Sequence, residues 1–211
     1  MEVTKFANYD EEFNYSISDA TREDYWAQKA QNIDWMSPPN KILDSSNPPF
    51  YRWFPDATLN ITVSCVDRWA KKTPDAPALI YEGTIVNKTE IWSYKRLLEE
   101  VELCAGVLKN FGIEKGDRVI IYMPMLNISI CAMLACARVG AVHSVVFGGF
   151  AAKEFALRVI DTKCKLVFSA SCGVEPHKNI DYRALIVQGL EIAESKIPTI
   201  YYERERMLLT D

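Results

Sequence analysis

The chain has 211 residues, 49% of them hydrophobic and 25% charged, with only 9 Gly and 10 Pro; that balance suits a large buried core and excludes disorder and collagen-like or low-complexity architecture. Lys and Arg number 24 against 28 Asp and Glu, a net charge of −4 with no basic run, which argues against nucleic-acid binding and against docking on an anionic membrane. The six cysteines, Cys65, Cys104, Cys131, Cys136, Cys164 and Cys172, never take the CxxC spacing of zinc knuckles or thioredoxin-type sites and read as reduced, mostly buried thiols.

In chain order, the opening residues carry Glu2, Asp10, Glu11 and Glu12 and no apolar run of a secretory signal. This predicts an intracellular, reducing compartment, cytoplasmic or mitochondrial, and not secretion. The glycosylation sequons beginning at Asn14, Asn60, Asn87 and Asn127 are then chance matches. Residues 1–60 read as an irregular, aromatic-rich segment punctuated by Ser37-Pro38-Pro39 and Asn47-Pro48-Pro49. Its Trp26, Ile33, Trp35, Phe50, Tyr51, Trp53 and Phe54 are too large and apolar for a solvated tail, so the segment is expected to wrap onto a body. One short helix is predicted near 21–31, capped by Ser18 or Thr21. A second, over 59–72, sets Ile61, Cys65, Val66 and Trp69 on one face and ends at Thr73-Pro74.

Beyond Pro77 strand and helix signals alternate. Segments 78–81 and 88–92 read as a hairpin around Gly83. Ser93 caps a helix whose Leu97, Val101, Ala105, Leu108 and Phe111 repeat at three and four residues, with Gly112 just past its end. Then follow a strand over 118–122, a helix over 127–138 ending at Gly140, a strand over 141–147, a helix over 151–161 and a strand over 165–169. A helix over 182–195 and a strand over 199–202 complete the series. Repeated βα units with continuous apolar strands predict an α/β fold whose parallel sheet is covered on both faces. The stretch 128–137 is apolar on every side, yet ten helical residues rise only about 15 Å, roughly half a bilayer core. It reads as a buried central helix, not a membrane span.

Neither GxxxxGK[ST] nor GxGxxG occurs. Phe147-Gly148-Gly149-Phe150 lies between a strand and a helix; it is either a tight βα turn or, at the carboxyl end of a parallel strand, a loop where backbone approaches a ligand. A second loop, Ser171-Cys172-Gly173-Val174-Glu175-Pro176-His177-Lys178, follows another strand. Cys172 and His177 have the residue types of a thiol nucleophile and its base, but no third orienting group or oxyanion site accompanies them. A metal site is not predicted, because the two histidines are His143, inside an apolar run, and His177. Lys178, near Arg183, reads either as a solvated charge or as a phosphate contact.

Several stretches together carry a resemblance. They include Tyr25-Trp26, Trp53-Phe54-Pro55-Asp56-Ala57-Thr58-Leu59-Asn60, Val66-Asp67-Arg68-Trp69, Gly116-Asp117-Arg118-Val119 and Tyr122-Met123-Pro124-Met125. The most specific is the run from Arg138 through His143-Ser144-Val145-Val146 to Phe150. From about Tyr9 onward the sequence resembles the AMP-forming short-chain acyl-CoA synthetases of the adenylate-forming superfamily, acetyl- and propionyl-CoA synthetases included. The resemblance implies an α/β fold of parallel-sheet βα units from the adenylate-forming N-terminal domain. It divides the chain into a wrapping segment, 1–60, and the first part of the AMP-binding ligase domain, 61–211, left incomplete.

The family converts a short carboxylic acid to an acyl-adenylate with ATP and Mg²⁺, then to a thioester with coenzyme A. Adenylation replaces a poor leaving group, and thiolysis attacks the activated carbonyl. By this resemblance the motif that contacts the nucleotide end of coenzyme A falls on Glu175, Pro176, His177 and Lys178, with Gly148 and Gly149 as further candidate ligand-binding residues. Where the family has Gly-Arg this chain has His177-Lys178, which keeps the charge but loses glycine's left-handed freedom and the bidentate fork. Glu175-Pro176 is closer to the propionyl-CoA type.

The family's phosphate loop, acyl pocket, adenine and ribose motifs and C-terminal catalytic lysine have no counterpart in these residues. No catalytic residue and no metal ligand is therefore expected here, and the chain, running to Leu209-Thr210-Asp211, is expected to be the N-terminal portion of a synthetase, inactive alone. Its expected partners are small molecules (a short acid, ATP, coenzyme A), together with a complementing or full-length synthetase chain. The alternative is a non-catalytic fragment that binds coenzyme A weakly or associates with a full-length synthetase through an exposed sheet edge.

Overall fold

A computed structural model describes residues 4–205; the readings made at Glu2 and at Leu209–Asp211 lie outside the described residues. The chain forms two compact units, Met1–Ser64 and Cys65–Asp211.

The first unit is more regular than its sequence suggests. It opens with α1, Tyr9–Ile17, in a stretch expected to be irregular. Asn8 caps α1 by accepting from the Glu11 N–H at 2.9 Å, and Asp10, Glu11 and Glu12 fill the first turn, where the helix dipole favours them. Helix α2, Arg22–Ala30, follows as expected. Thr21 stands at its N-cap position, but its hydroxyl donates to the Tyr15 carbonyl at 2.7 Å instead of capping. Glu12 ties the two helices together, accepting from the Tyr25 hydroxyl and the Lys29 ammonium, each at 2.8 Å. Two short antiparallel pairs complete the unit: β1 (Trp35–Ser37) with β4 (Thr58–Leu59), and β2 (Leu43–Asp44) with β3 (Arg52–Trp53). The aromatics meet one another inside this unit, Trp26 against Trp53 at 5.8 Å and Trp35 against Phe54 at 5.4 Å.

A π-helical stretch, Val63–Asp67, leads into α3, Arg68–Lys72, which stops at Thr73. The wider turn rotates the register, so Val66 is buried while Ile61 and Cys65 are exposed, and the single apolar face read from sequence is broken. Strands β5 (Pro77–Gly83) and β6 (Lys88–Ser93) form the expected hairpin, turned by residues 84–87 with Asn87 left-handed. Helix α4, Tyr94–Asn110, is capped by Ser93, whose Oγ accepts from the Arg96 N–H. Its stripe runs through Leu97, Val101, Ala105 and Leu108. Phe111 falls outside it and is 49% exposed, because it is the C-cap residue and the chain turns away at Gly112, φ +71°.

The centre is a parallel sheet. Strand β7, Arg118–Tyr122, is followed by α5 (Asn127–Val139), β8 (Val142–Val146), α6 (Ala152–Thr162) and β9 (Leu166–Ala170). A small antiparallel hairpin, β10 (Cys172–Val174) and β11 (Asn179–Asp181), then leads to α7 (Tyr182–Ile192) and β12 (Thr199–Tyr202). The strand order is β12-β9-β7-β8, with Ile120 opposite both Ser144 and Val167. On one face Val119, Ile121, Leu166 and Phe168 pack under α4 and α5; on the other Ile120, Tyr122 and Val167 pack under α6 and α7. Each such fully buried aliphatic or aromatic side chain contributes about 2 kcal/mol of transfer free energy. Among the 13 residues of α5 none is exposed, as a covered helix requires, and no described helix is long and apolar enough to cross a membrane.

The expectation of cover on both faces fails at β8. Val142 and Val145, on opposite faces of this edge strand, are each 54% exposed. Among the described residues β8 pairs with β7 alone, so it stands at the rim of the sheet, where the helices on the two faces cover it least.

Candidate functional site

Two loops singled out by sequence stand at the carboxyl ends of parallel strands, the turn 147–150 after β8 and the β10–β11 hairpin after β9. In the turn, the Phe150 N–H donates to the Phe147 carbonyl at 3.0 Å. Its carbonyls are held from below: the Tyr122 hydroxyl donates to the Phe150 oxygen, and the Tyr182 hydroxyl donates to the Gly148 oxygen at 2.6 Å. Gly148 is required by close approach, since a methyl group there would collide with the Tyr182 hydroxyl and lie 3.3 Å from the Met123 carbonyl oxygen. At Gly149 the obstacle is the Phe147 ring, 2.7 Å away. Burial pushes both tyrosine hydroxyls up, that of Tyr182 to about 12, so both act as neutral donors. The protein's own contacts thus account for Gly148, while the Phe147 ring, 71% exposed, faces outward.

The hairpin pairs Cys172 with Asp181, Gly173 with Ile180 and Val174 with Asn179. Its tip is Glu175, Pro176, His177 and Lys178, closed by a bond from the Glu175 N–H to the Lys178 carbonyl at 2.9 Å. Pro176 presets the backbone at the second position of this turn. All four tip residues are exposed, and with Ile85, Val174 and Asn179 they line a shallow hollow of about 330 Å³. The Lys178 ammonium lies 3.7 Å from Glu175 Oε2, an exposed pair that leaves the lysine charge reachable by an anion.

The structure does not join Cys172 to His177. The thiol is fully buried in β10, while the imidazole stands at the exposed tip. His143 lies exposed on the edge strand, and among the described residues no group of three His, Cys, Asp or Glu side chains is placed to hold a metal ion.

Pattern reading missed the crevice at the switch point, where β7 is flanked by β8 on one side and by β9 on the other. Open α/β sheets bind ligands at such points. Here Pro124, Met125 and Leu126 after β7, with Val174 and Arg204, face the β5–β6 turn across a hollow of about 210 Å³. Arg204 is fixed there, its N–H donating to Ser171 Oγ at 2.9 Å and its Nη1 to the Cys172 carbonyl at 3.0 Å. Strand order and the placing of the β5–β6 turn together create this crevice, and periodicity signals neither.

The architecture is that of the adenylate-forming enzymes. Acetoacetyl-CoA synthetase from Streptomyces lividans superposes with a TM-score of 0.83 over 98% of this chain and 33% of that one, at 22% identity. Residues 66–207 match the AMP-binding enzyme family, and the chain belongs to it. Residues 9–65 match the model of the acetyl-coenzyme A synthetase N-terminus. Human acyl-CoA synthetase short-chain family member 3, mitochondrial, is 40% identical over 203 residues, 95% of this chain and 29% of that protein. Propionate–CoA ligase of Escherichia coli K12 is 40% identical over 89% of this chain and 30% of its own length. Acetyl-coenzyme A synthetase of Methylobacillus flagellatus is 43% identical over 90% and 30%, respectively. The chain therefore spans about 30% of the length of these curated relatives.

Proposed function

We propose that these residues are the N-terminal part of an AMP-forming short-chain acyl-CoA synthetase, a propionate– or acetate–CoA ligase that turns acid, ATP and coenzyme A into acyl-CoA, AMP and pyrophosphate. In this reading the tip Glu175–Pro176–His177–Lys178 meets the nucleotide end of coenzyme A, and the Gly148–Gly149 turn lies along the same ligand. The observation that carries it is the exposed Lys178 on a hairpin at the carboxyl end of β9, with a hollow beside it. Lys178 would neutralise a phosphate as a point charge, and His177 would offer ring N–H contacts.

ATP and Mg²⁺ belong to the reaction of the whole enzyme. The 211 residues by themselves are read as inactive. ATP- and coenzyme-A-dependent release of AMP, measured with acetate and with propionate on the purified chain, is expected to stay at background; turnover would overturn this part. Calorimetric titration with coenzyme A tests the tip directly, and no heat of binding would remove it from the site. The reading carries an intracellular location, cytoplasmic or mitochondrial.

A second reading is favoured by one observation, the uncovered edge of β8 with Val142 and Val145 outward. On it the chain is a non-catalytic module that adds its sheet edge to a full-length synthetase. Co-elution of the purified chain with a purified propionate–CoA ligase separates the two: a stable complex supports the module, and independent elution counts against it.

A further inference from the structure

We infer that Tyr182 is a positioning residue that couples the 147–150 turn to the β10–β11 hairpin, so that a ligand at the hairpin tip and the turn beside it adjust together; the ligand part rests on the coenzyme A reading of the tip. Tyr182 follows Asp181, the residue that pairs with Cys172 at the base of the hairpin. Three parts of Tyr182 are engaged. Its N–H donates to the Ser171 carbonyl at 3.3 Å, just before β10. Its ring lies against Gly173, where a methyl group would stand 2.8 Å from Cε2. Its hydroxyl donates to the Gly148 carbonyl at 2.6 Å, in a loop that belongs to a different strand.

Two glycines from separate loops, Gly148 and Gly173, thus both leave room for one side chain. Tyr182 is 2% exposed and packs against Tyr122 with ring centroids 4.9 Å apart. Tyr122 in turn holds the far end of the turn through the Phe150 carbonyl. A buried, close-packed ring transmits displacement more than it absorbs it. Movement of the hairpin toward Tyr182 has to move the ring, and the ring is tied to Gly148.

Amide hydrogen exchange on the 211-residue chain tests this without any activity. The Phe150 N–H, bonded inside the turn, reports its opening. Tyr182→Phe is expected to raise its exchange about tenfold, the loss of one hydrogen bond. Gly173→Ala, which pushes the ring from the hairpin side, is expected to raise it severalfold with Tyr182 present and to add nothing in the Tyr182→Phe background. Equal effects in both backgrounds, or no effect in either, would overturn the coupling. If Gly173→Ala does not fold, Ile180→Ala perturbs the hairpin from the facing strand and is read in the same cycle. With coenzyme A added, the wild-type chain should slow exchange in both loops, and Tyr182→Phe only in the hairpin. Slowing of the turn that survives Tyr182→Phe also overturns the coupling. No coenzyme A effect in the wild type overturns the ligand reading of the tip, while the ligand-free cycle still decides the role of Tyr182.

Discussion

Arg138 grips Asp67 with both arms of its guanidinium, Nη1 to Oδ2 and Nη2 to Oδ1, each at 2.8 Å. The pair joins the last turn of α5 to the start of α3, and thereby two of the sequence stretches that carry the family resemblance. Asp67 holds the Arg138 pKa above the ordinary guanidinium value. The fork cannot be reproduced by a lysine. Arg138→Lys is therefore expected to lower stability by about 1 kcal/mol, and a double-mutant cycle with Asp67→Asn in urea denaturation should return a coupling of similar size. A coupling indistinguishable from zero would reduce the pair to a surface contact.

On the coenzyme A reading of the hairpin tip, its two charges would act on the ligand in opposite senses. Glu175, 3.7 Å from Lys178, repels any anion that the lysine attracts. Glu175→Gln should tighten coenzyme A binding about two- to fivefold, and Lys178→Glu should weaken it by about tenfold, both read by calorimetry at low salt. If Lys178→Glu binds as the wild type does, Lys178 is not in the site.

Acid stability should depend on Asp117. Lys165 at 2.8 Å and the Glu114 N–H at 2.9 Å hold its carboxyl below the ordinary carboxylate value. A carboxylate depressed by folding contributes stability above its unfolded pKa, near 4, and that contribution is lost as the pH falls through the lower folded value. Melting temperatures followed from pH 6 to pH 2 should drop less steeply for Asp117→Asn than for the wild type. Parallel acid limbs would assign the drop to other groups.

Thiol reactivity should separate one cysteine from five. Cys65 is exposed, whereas Cys104, Cys131, Cys136, Cys164 and Cys172 are buried. Burial pushes the Cys104 thiol up to about 11 and those of Cys131 and Cys136 to about 12, so thiolate is scarce as well as shielded. A maleimide reagent near pH 7.5 should label Cys65 first, with the other five following only in denaturant. Rapid labelling of Cys131 in the native protein would mean that α5 opens readily.

Much of the second unit was legible because its elements obey short-range rules. Strands β7 and β12 end where the apolar runs Arg118–Tyr122 and Thr199–Tyr202 end, and Ser93 caps α4 as its position suggests. Helix α1 was missed although Tyr9, Phe13 and Ile17 recur every four residues and Asn8 precedes three acidic residues; the short stripe stays exposed and buries nothing, so it stood out little from the irregular segment around it. The exposure of β8 was invisible because strand composition encodes a preference for cover, not the presence of a neighbour. Of the candidate site residues, the tip 175–178 was proposed through resemblance and Gly148–Gly149 through position at the end of a parallel strand. Tyr182 looked like any core aromatic, since nothing local reveals that Gly148 and Gly173 both make room for it.

The sheet order places the earliest of its four strands in the interior. On a ribosome β7 emerges before either strand that flanks it, and Ile120 meets Ser144 first and Val167 only later. A nascent chain that pauses after Val146 carries β7 with one edge bare and much of its apolar face unshielded. That interval is where chaperones would engage the growing polypeptide, and slow codons between β8 and β9 would lengthen it.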